Sequence, residues 1–213
     1  MPDTITDFRS ENGLYKNNLR AEEILSHTFF MNHTDEFYEF YKDKMCYPNA
    51  LPNFGHQYIA ELEKLGKEVT VITQNIDGLH SDAGSKNVLE LHGSIHRNYC
   101  MDCGKSYTLQ EILHMKGIPK CACGAIIKPD VVLYEEPLDE ETINKTVRAI
   151  SNCDILIILG TSLSVYPAAS FIRFFNGQKL VLINKSSTPY DSYADIVINN
   201  SISDTFKELI EIE

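Results

Sequence analysis

Four of the six cysteines fall in two close pairs, Cys100-x-x-Cys103 and, 17 residues later, Cys121-x-Cys123. Two thiol pairs brought together by a fold-back of the chain between them close a tetrahedral site around zinc. An all-thiolate set with no open position suits a structural metal rather than a catalytic one. Two disulfides, or a set of unrelated buried thiols, are the alternative. The N-terminus, Met1-Pro2-Asp3-Thr4, has neither a basic n-region nor an apolar h-region, so a cytoplasmic, reducing location is expected and zinc is favoured over disulfides. The second pair has one spacer residue where zinc knuckles usually have two, which implies a tighter turn. Cys46 and Cys153 stand alone and are expected to be core thiols. Residues 99–124, with Gly104, Gly117, Gly124 and one short helical pattern from Leu109 to Met115, read as a small inserted metal-binding module. The flanking stretches 1–98 and 125–213 read as the larger domain, with a helical part around 15–50.

Those flanking stretches alternate strand and helix signals. Leu51, Phe54, Tyr58, Leu62 and Leu65 recur at three- and four-residue steps up to Gly66, a helix with a glycine at its C-terminus. Val69–Ile72 and Val131–Tyr134 read as strands, and 140–150 as a helix. Ile155–Leu159 is continuously apolar, as expected of a strand covered on both faces, and runs through Gly160-Thr161-Ser162 toward a helix near Pro167. Strand patterns recur at 179–184 and 194–198, and Phe206, Leu209 and Ile210 mark a closing helix with Ser203 as its expected N-cap. Alternation of this kind predicts an α/β fold with a parallel, doubly wound sheet. The formal charge of −11, from 19 basic and 30 acidic residues among 213, argues against nucleic-acid and anionic-membrane partners. The longest apolar run is far short of the roughly 20 residues needed to span a bilayer.

The segment from Thr73 to Gly93 concentrates amide, carboxylate and imidazole groups just past a strand end, where α/β proteins place ligands. From spacing alone these residues serve equally well as turn formers and satisfied histidines. As a series, Thr73-Gln74-Asn75-Ile76-Asp77, Gly78-Leu79-His80, Ala83-Gly84 and Leu91-His92-Gly93 resemble the signature of the sirtuins, the NAD-dependent protein-lysine deacylases. Asp7-Phe8-Arg9-Ser10, Pro52-Asn53 with His56, the four cysteines, Lys128-Pro129-Asp130-Val131-Val132 and Gly160-Thr161-Ser162 extend the resemblance from residue 3 to the last helix. It implies a Rossmann-like domain with a zinc ribbon, using NAD as co-substrate and acylated-lysine proteins as partners, and releasing nicotinamide and O-acyl-ADP-ribose. His92 would be the general base on a ribose hydroxyl, a task suited to an imidazole. Asp77 would accept from the nicotinamide carboxamide, with Gln74, Asn75 and Ile76 beside the ribose. Gly160, Thr161 and Ser162 would face the phosphates. Asn184 and Ile202 would line the adenosine end, and Phe8 and Arg9 would cover the nicotinamide side and phosphates.

The G-A-G-x-S turn and strand that precede D-F-R-S in that family have no counterpart in this sequence. They would amount to about 25 residues with their helix. Their absence predicts a sheet lacking its first strand, with two unpaired edges. A truncated, inactive remnant is therefore one alternative function, and protein ADP-ribosyl transfer from NAD is another. Tyr134-Glu135-Glu136 stands where the family shows an aromatic residue followed by G-E, so Val131, Tyr134 and their neighbours are expected to meet the substrate peptide with altered pairing. Tyr41 and Lys44 stand where succinyl-directed members carry Y-x-x-R, which keeps acidic acyl groups possible.

Overall fold

The computed structural model describes residues 15–16, 19–161, 163 and 168–210. In chain order the first elements are β1 (Tyr15–Lys16), β2 (Leu19–Arg20), α1 (Ala21–Ile24), α2 (His27–Asn32), α3 (Thr34–Lys44), α4 (Phe54–Lys64), β3 (Val71–Thr73), α5 (Leu79–Asp82), β4 (Val88–Glu90) and β5 (Gly93–Cys100). They are followed by β6 (Ser106–Thr108), α6 (Leu109–His114), β7 (Ile127–Val131), α7 (Glu140–Asn152), β8 (Ile155–Leu159), α8 (Ala168–Phe171), β9 (Lys179–Ile183), β10 (Ile196–Ile198) and α9 (Ile202–Ile210). These elements divide between two compact units. One holds the described residues up to Ala50 with 75–78 and 90–138, and the other holds 51–74, 79–89 and the residues from Asp139 onward. Among the described residues no helix is long and apolar enough to cross a membrane.

The first unit is built on an antiparallel sheet in the order β6-β5-β7. Its core is aromatic. Phe30, Phe37, Tyr38, Phe40 and Tyr41 from α2 and α3 are buried with Ile95, Ile112, Ile127 and Leu133. Phe30 meets Phe37 edge-on at 4.9 Å between ring centres, and Phe37 stacks on Tyr41 at 5.7 Å. The Tyr38 hydroxyl donates to the Ile127 carbonyl, so the one polar atom of that ring is satisfied inside the core. Ser26 caps α2 by accepting from the Phe29 N–H, and Thr108 caps α6 in a reciprocal box with Glu111.

Two strand assignments differ from the sequence pattern. The strand expected at 131–134 lies instead at Ile127–Val131, and Gly93–Cys100, which carries no strand signal, is the central strand of this sheet. The cause is a register shift between Ser94 and Asn98, where β5 bulges against β7. Ser94 and Ile95 are both buried and His96 and Arg97 both exposed, so the period-2 alternation is erased. Just before the bulge, Gly93 has φ +73°, and a Cβ there would stand 1.9 Å from the Asp130 carbonyl oxygen. No side chain fits at that crossing.

The second unit carries a parallel sheet in the order β10-β9-β8, with Ile155 opposite Lys179 and Ile183 opposite both Leu159 and Ile198. β3 pairs with β4 in a separate two-stranded sheet. Among the described residues β8 is hydrogen-bonded only to β9, and its Ile155 and Ile157 are 55% and 42% exposed although the run is wholly apolar. Asn53 caps α4, so Leu51 falls outside the helix and is exposed. α4 meets α9 through Tyr58 stacked on Phe206 at 4.7 Å. The N-cap of α9 is Ser201, whose hydroxyl accepts from the Asp204 N–H, rather than the expected Ser203. Helix α9 begins one residue before that serine, at Ile202.

The link after β7 is fixed in the first unit by Glu136. Its carboxylate accepts from the Leu133 N–H at 2.9 Å, from Lys128 Nζ at 3.0 Å and from His27 Nδ1 at 2.9 Å. Burial works to raise this carboxyl, but the Leu133 N–H, His27 and Lys128 outweigh it and hold Glu136 below the ordinary glutamate range. A carboxyl lowered on folding contributes stability that is present above the ordinary carboxylate range and lost as pH falls through its lowered value. Glu136→Gln is therefore expected to cost about 1–2 kcal/mol near pH 7. Chemical denaturation at neutral and strongly acidic pH should show the gap between variant and wild type closing in acid.

Candidate functional site

Three constellations are assembled within the two units. The first is the thiol quartet. The ligand atoms of Cys100, Cys103, Cys121 and Cys123 all lie within 4.8 Å of one another. Cys100 Sγ is 3.4 Å from Cys123 Sγ, and Cys103 Sγ is 3.6 Å from Cys121 Sγ and 3.7 Å from Cys123 Sγ. Four sulfurs at the Zn–S bond length of about 2.3 Å in a tetrahedron are about 3.8 Å apart, whereas a disulfide needs about 2.05 Å. The quartet fits Zn²⁺ and excludes the disulfide alternative.

The spacing difference between the two pairs is absorbed by two similar turns. Gly104 N–H bonds the Cys100 carbonyl and Gly124 N–H bonds the Cys121 carbonyl, each glycine in left-handed backbone at φ +68° and +94°. The Cys103 backbone N–H lowers the Cys100 thiol, and the Cys123 backbone N–H followed by the Tyr107 hydroxyl lowers Cys121 to about 6. Against the Lys105 and Ala125 backbone N–H groups, the neighbouring thiols raise Cys103 and Cys123, so the quartet holds protons that a divalent cation would displace. The other two cysteines differ in depth: Cys46 is the core thiol expected, raised by burial to about 12, while Cys153 is half-buried.

The second constellation joins the polar loop to the histidine segment. The Ile95 N–H donates to the Ile76 carbonyl at 3.0 Å, and His96 Nε2 lies 2.9 Å from the Asp77 carbonyl. The Val132 N–H donates to the His92 carbonyl at 3.0 Å, and Gly93 pairs with Val131. β5 therefore fixes Ile76 and Asp77 against its bulge, and His92, held by Val132, immediately precedes it. Asn75 is exposed, and Ile76, Asp77 and His92 are half-buried. Gln74, also half-buried, belongs to the second unit. Arg97 forks to Glu90 Oε2 and Asp130 Oδ2, both at 2.7 Å, on the two segments that flank His92. The motifs point to Asn75, Asp77 and His92 but pass over His96 and Arg97, because the bulge that exposes both removes any periodic signal.

The third lies at the carboxyl ends of the parallel strands, where such sheets bind ligands. The Gly160 N–H bonds the Ile183 carbonyl, and the Asn184 N–H bonds the Ile198 carbonyl. Gly160 has φ +58°, and a Cβ there would stand 3.0 Å from Ile202 Cδ1. Gly160, Asn184 and Ile202 thus converge, with Thr161 adjacent and its hydroxyl accepting from the Leu163 N–H. Phe8, Arg9 and Ser162 lie outside the described residues.

The remaining expected substrate residues are separate in character. Tyr41 is 1% exposed inside the aromatic core, and Lys44 pairs with Asp43 at 2.9 Å. Val131 is buried. Tyr134 is exposed, and its backbone already bonds the Leu25 carbonyl and the His27 N–H. Glu135, at the position the motif gives to glycine, takes φ +76°, and its carboxylate accepts from the Thr28 N–H at 2.9 Å. An open cavity of about 550 Å³ lies beside Tyr134 and Glu135, walled by Ser26, Thr28, Phe29 and Asn32.

A parallel sheet whose strand ends converge on a glycine turn, in one chain with a four-thiolate zinc-type centre, defines an α/β protein of the nucleotide-binding, zinc-ribbon class. The sequence model described as the Sir2 family matches residues 3–167, and the chain belongs to that family. It is 59% identical over 212 residues to an NAD-dependent protein deacetylase of Clostridium acetobutylicum, covering 97% of this chain and 86% of the relative. It is 58% identical over 213 residues, with the same coverages, to one of Clostridium tetani. Among solved structures, a Sir2–p53 peptide–NAD⁺ complex aligns with TM-score 0.84 at 37% identity over 97% of this chain and 86% of that one.

With four thiolates and no open position, metal analysis of protein purified without added chelator should give one zinc per chain. Cys121→Ser should reduce that content and lower the thermal midpoint, and an unchanged zinc content would remove the assignment.

Proposed function

We propose that this chain is an NAD-dependent protein-lysine deacetylase. The observation that carries the reading is that β5 holds the Ile76 and Asp77 carbonyls of the loop while His92, whose carbonyl accepts from the Val132 N–H, immediately precedes that strand. The near-full-length relatives at 58–59% identity, named NAD-dependent protein deacetylases, point the same way. NAD supplies the cleavable nicotinamide–ribose bond and the ribose that receives the acetyl group. Asp77 accepts from the nicotinamide carboxamide, and Gln74, Asn75 and Ile76 line the ribose. His92, its backbone fixed by Val132, takes the proton of a ribose hydroxyl as general base. Gly160, Thr161 and Ser162 bind the phosphates, Asn184 and Ile202 hold the adenosine end, and Phe8 and Arg9 cover the nicotinamide side.

Cys100, Cys103, Cys121 and Cys123 hold zinc, which shapes the 99–124 segment and takes no part in the chemistry. The substrates are acetylated lysines on proteins, met by Val131, Tyr134 and the cavity beside Glu135. Acetyl is the acyl group we assign, in line with the relatives named protein deacetylases. The charge of −11 opposes nucleic-acid and anionic-membrane partners, and six unbridged thiols suit the cytoplasm.

Incubation with NAD and an acetyl-lysine peptide should yield equal amounts of nicotinamide, deacetylated peptide and O-acetyl-ADP-ribose. His92→Ala should lower the rate by roughly 10²–10⁴-fold. Label from adenine-labelled NAD retained on protein, without deacetylated peptide, would instead establish ADP-ribosyl transfer. Failure to release nicotinamide under any of these conditions would count against both readings.

A further inference from the structure

We infer that His96 is a positioning residue, one that fixes the Asp77 peptide and through it the cofactor-facing side chain of Asp77. The inference rests on the deacetylase reading for its functional consequence but on geometry for its mechanism. A carbonyl oxygen only accepts, so the 2.9 Å contact from His96 Nε2 to the Asp77 carbonyl requires the proton on Nε2. The Ile95 N–H holds the preceding carbonyl, that of Ile76, at 3.0 Å. Two consecutive residues of β5 thus hold two consecutive carbonyls of the loop, which fixes the peptide planes on both sides of Asp77.

The neighbouring residue shows how closely the ring is seated. Gly78 has φ +75°, and a Cβ at that position would stand 2.8 Å from His96 Cδ2 and 2.9 Å from Nε2. The imidazole occupies the space a side chain at 78 would need, and glycine is the residue that leaves it free. The bulge brings His96 to this position. In a regular strand one of two successive side chains would face the core, whereas the register shift turns both His96 and Arg97 outward. His96 then reaches the Asp77 loop while Arg97 joins Glu90 to Asp130 on either side of His92. Because His96 is exposed, its ring contributes little core packing, and its loss should act on the loop rather than on the fold.

The test compares His96→Ala, His96→Phe and His96→Gln in the full chain. Phenylalanine keeps a ring but has no donor, and the Gln amide carries an N–H at the same reach as Nε2. The first readout, hydrogen exchange of the peptide spanning residues 75–79, needs no turnover. Exchange should rise about 3- to 10-fold in the Ala and Phe variants and return to within about twofold of wild type in the Gln variant. The second readout is NAD turnover. KM for NAD should rise in the same order by about 3- to 10-fold with kcat changed less than about twofold. Equal exchange in all four proteins, or altered exchange with an unaltered KM in an active wild type, would overturn the inference. A wild type that turned over no NAD would count against the deacetylase reading, while the exchange comparison would still decide whether His96 holds the loop.

Discussion

The close backbone crossing at Gly93 and Asp130 sets much of the first unit. A Cβ at residue 93 would lie 1.9 Å from the Asp130 carbonyl, so β5 approaches β7 at its start only because that residue is glycine. From this crossing β5 bulges, resumes its register at Asn98 and ends at Cys100, a member of the thiol quartet. One strand therefore leads from the histidine segment at its beginning to the metal-type centre at its end. Between them it binds the Asn75–Asp77 loop through Ile95 and His96. The aromatic core behind the strand, with Ile95 and Ile127 buried among Phe30, Phe37 and Tyr38, gives this arrangement a rigid backing.

Strongly periodic or regularly spaced features are legible in the amino-acid sequence. The cysteine spacing leads to the quartet, and the apolar run Ile155–Leu159 leads to a parallel strand entering a glycine turn. Helix signals at 51–65 and 140–150 correspond to α4 and α7; the Asn53 cap moves the start of α4 to Phe54, while α7 starts at the expected Glu140 behind its Asp139 cap. The illegible parts depend on tertiary pairing. β5 has consecutive buried and then consecutive exposed residues, a pattern no single-strand template produces. β7 contains Lys128, Pro129 and Asp130, residue types with low strand preference that pair only because the partner strand is there.

The candidate site residues follow the same division. His92, Asn75 and Asp77 stand out by their motif, while His96 and Arg97 make backbone and ion-pair contacts that no motif records. Glu135 shows the reverse case, in which a motif departure has a structural counterpart. Glutamate replaces the motif's glycine yet keeps a left-handed backbone, and its carboxylate, lowered by its bonds to Thr28, caps the start of α2. The acidic charge of the whole chain also changes meaning at the site. An anionic dinucleotide would have to be held by local interactions against the field of the molecule as a whole.

The central claim is that β5 transmits order from the thiolate centre to the loop and histidine. Hydrogen exchange with and without a zinc chelator measures this directly at the Ile95 and Val132 amides, which hold the Ile76 and His92 carbonyls. Metal removal should raise exchange at both positions together, well before the amides of β9 in the other unit respond. Undiminished protection of Ile95 and Val132 in metal-free protein would contradict it.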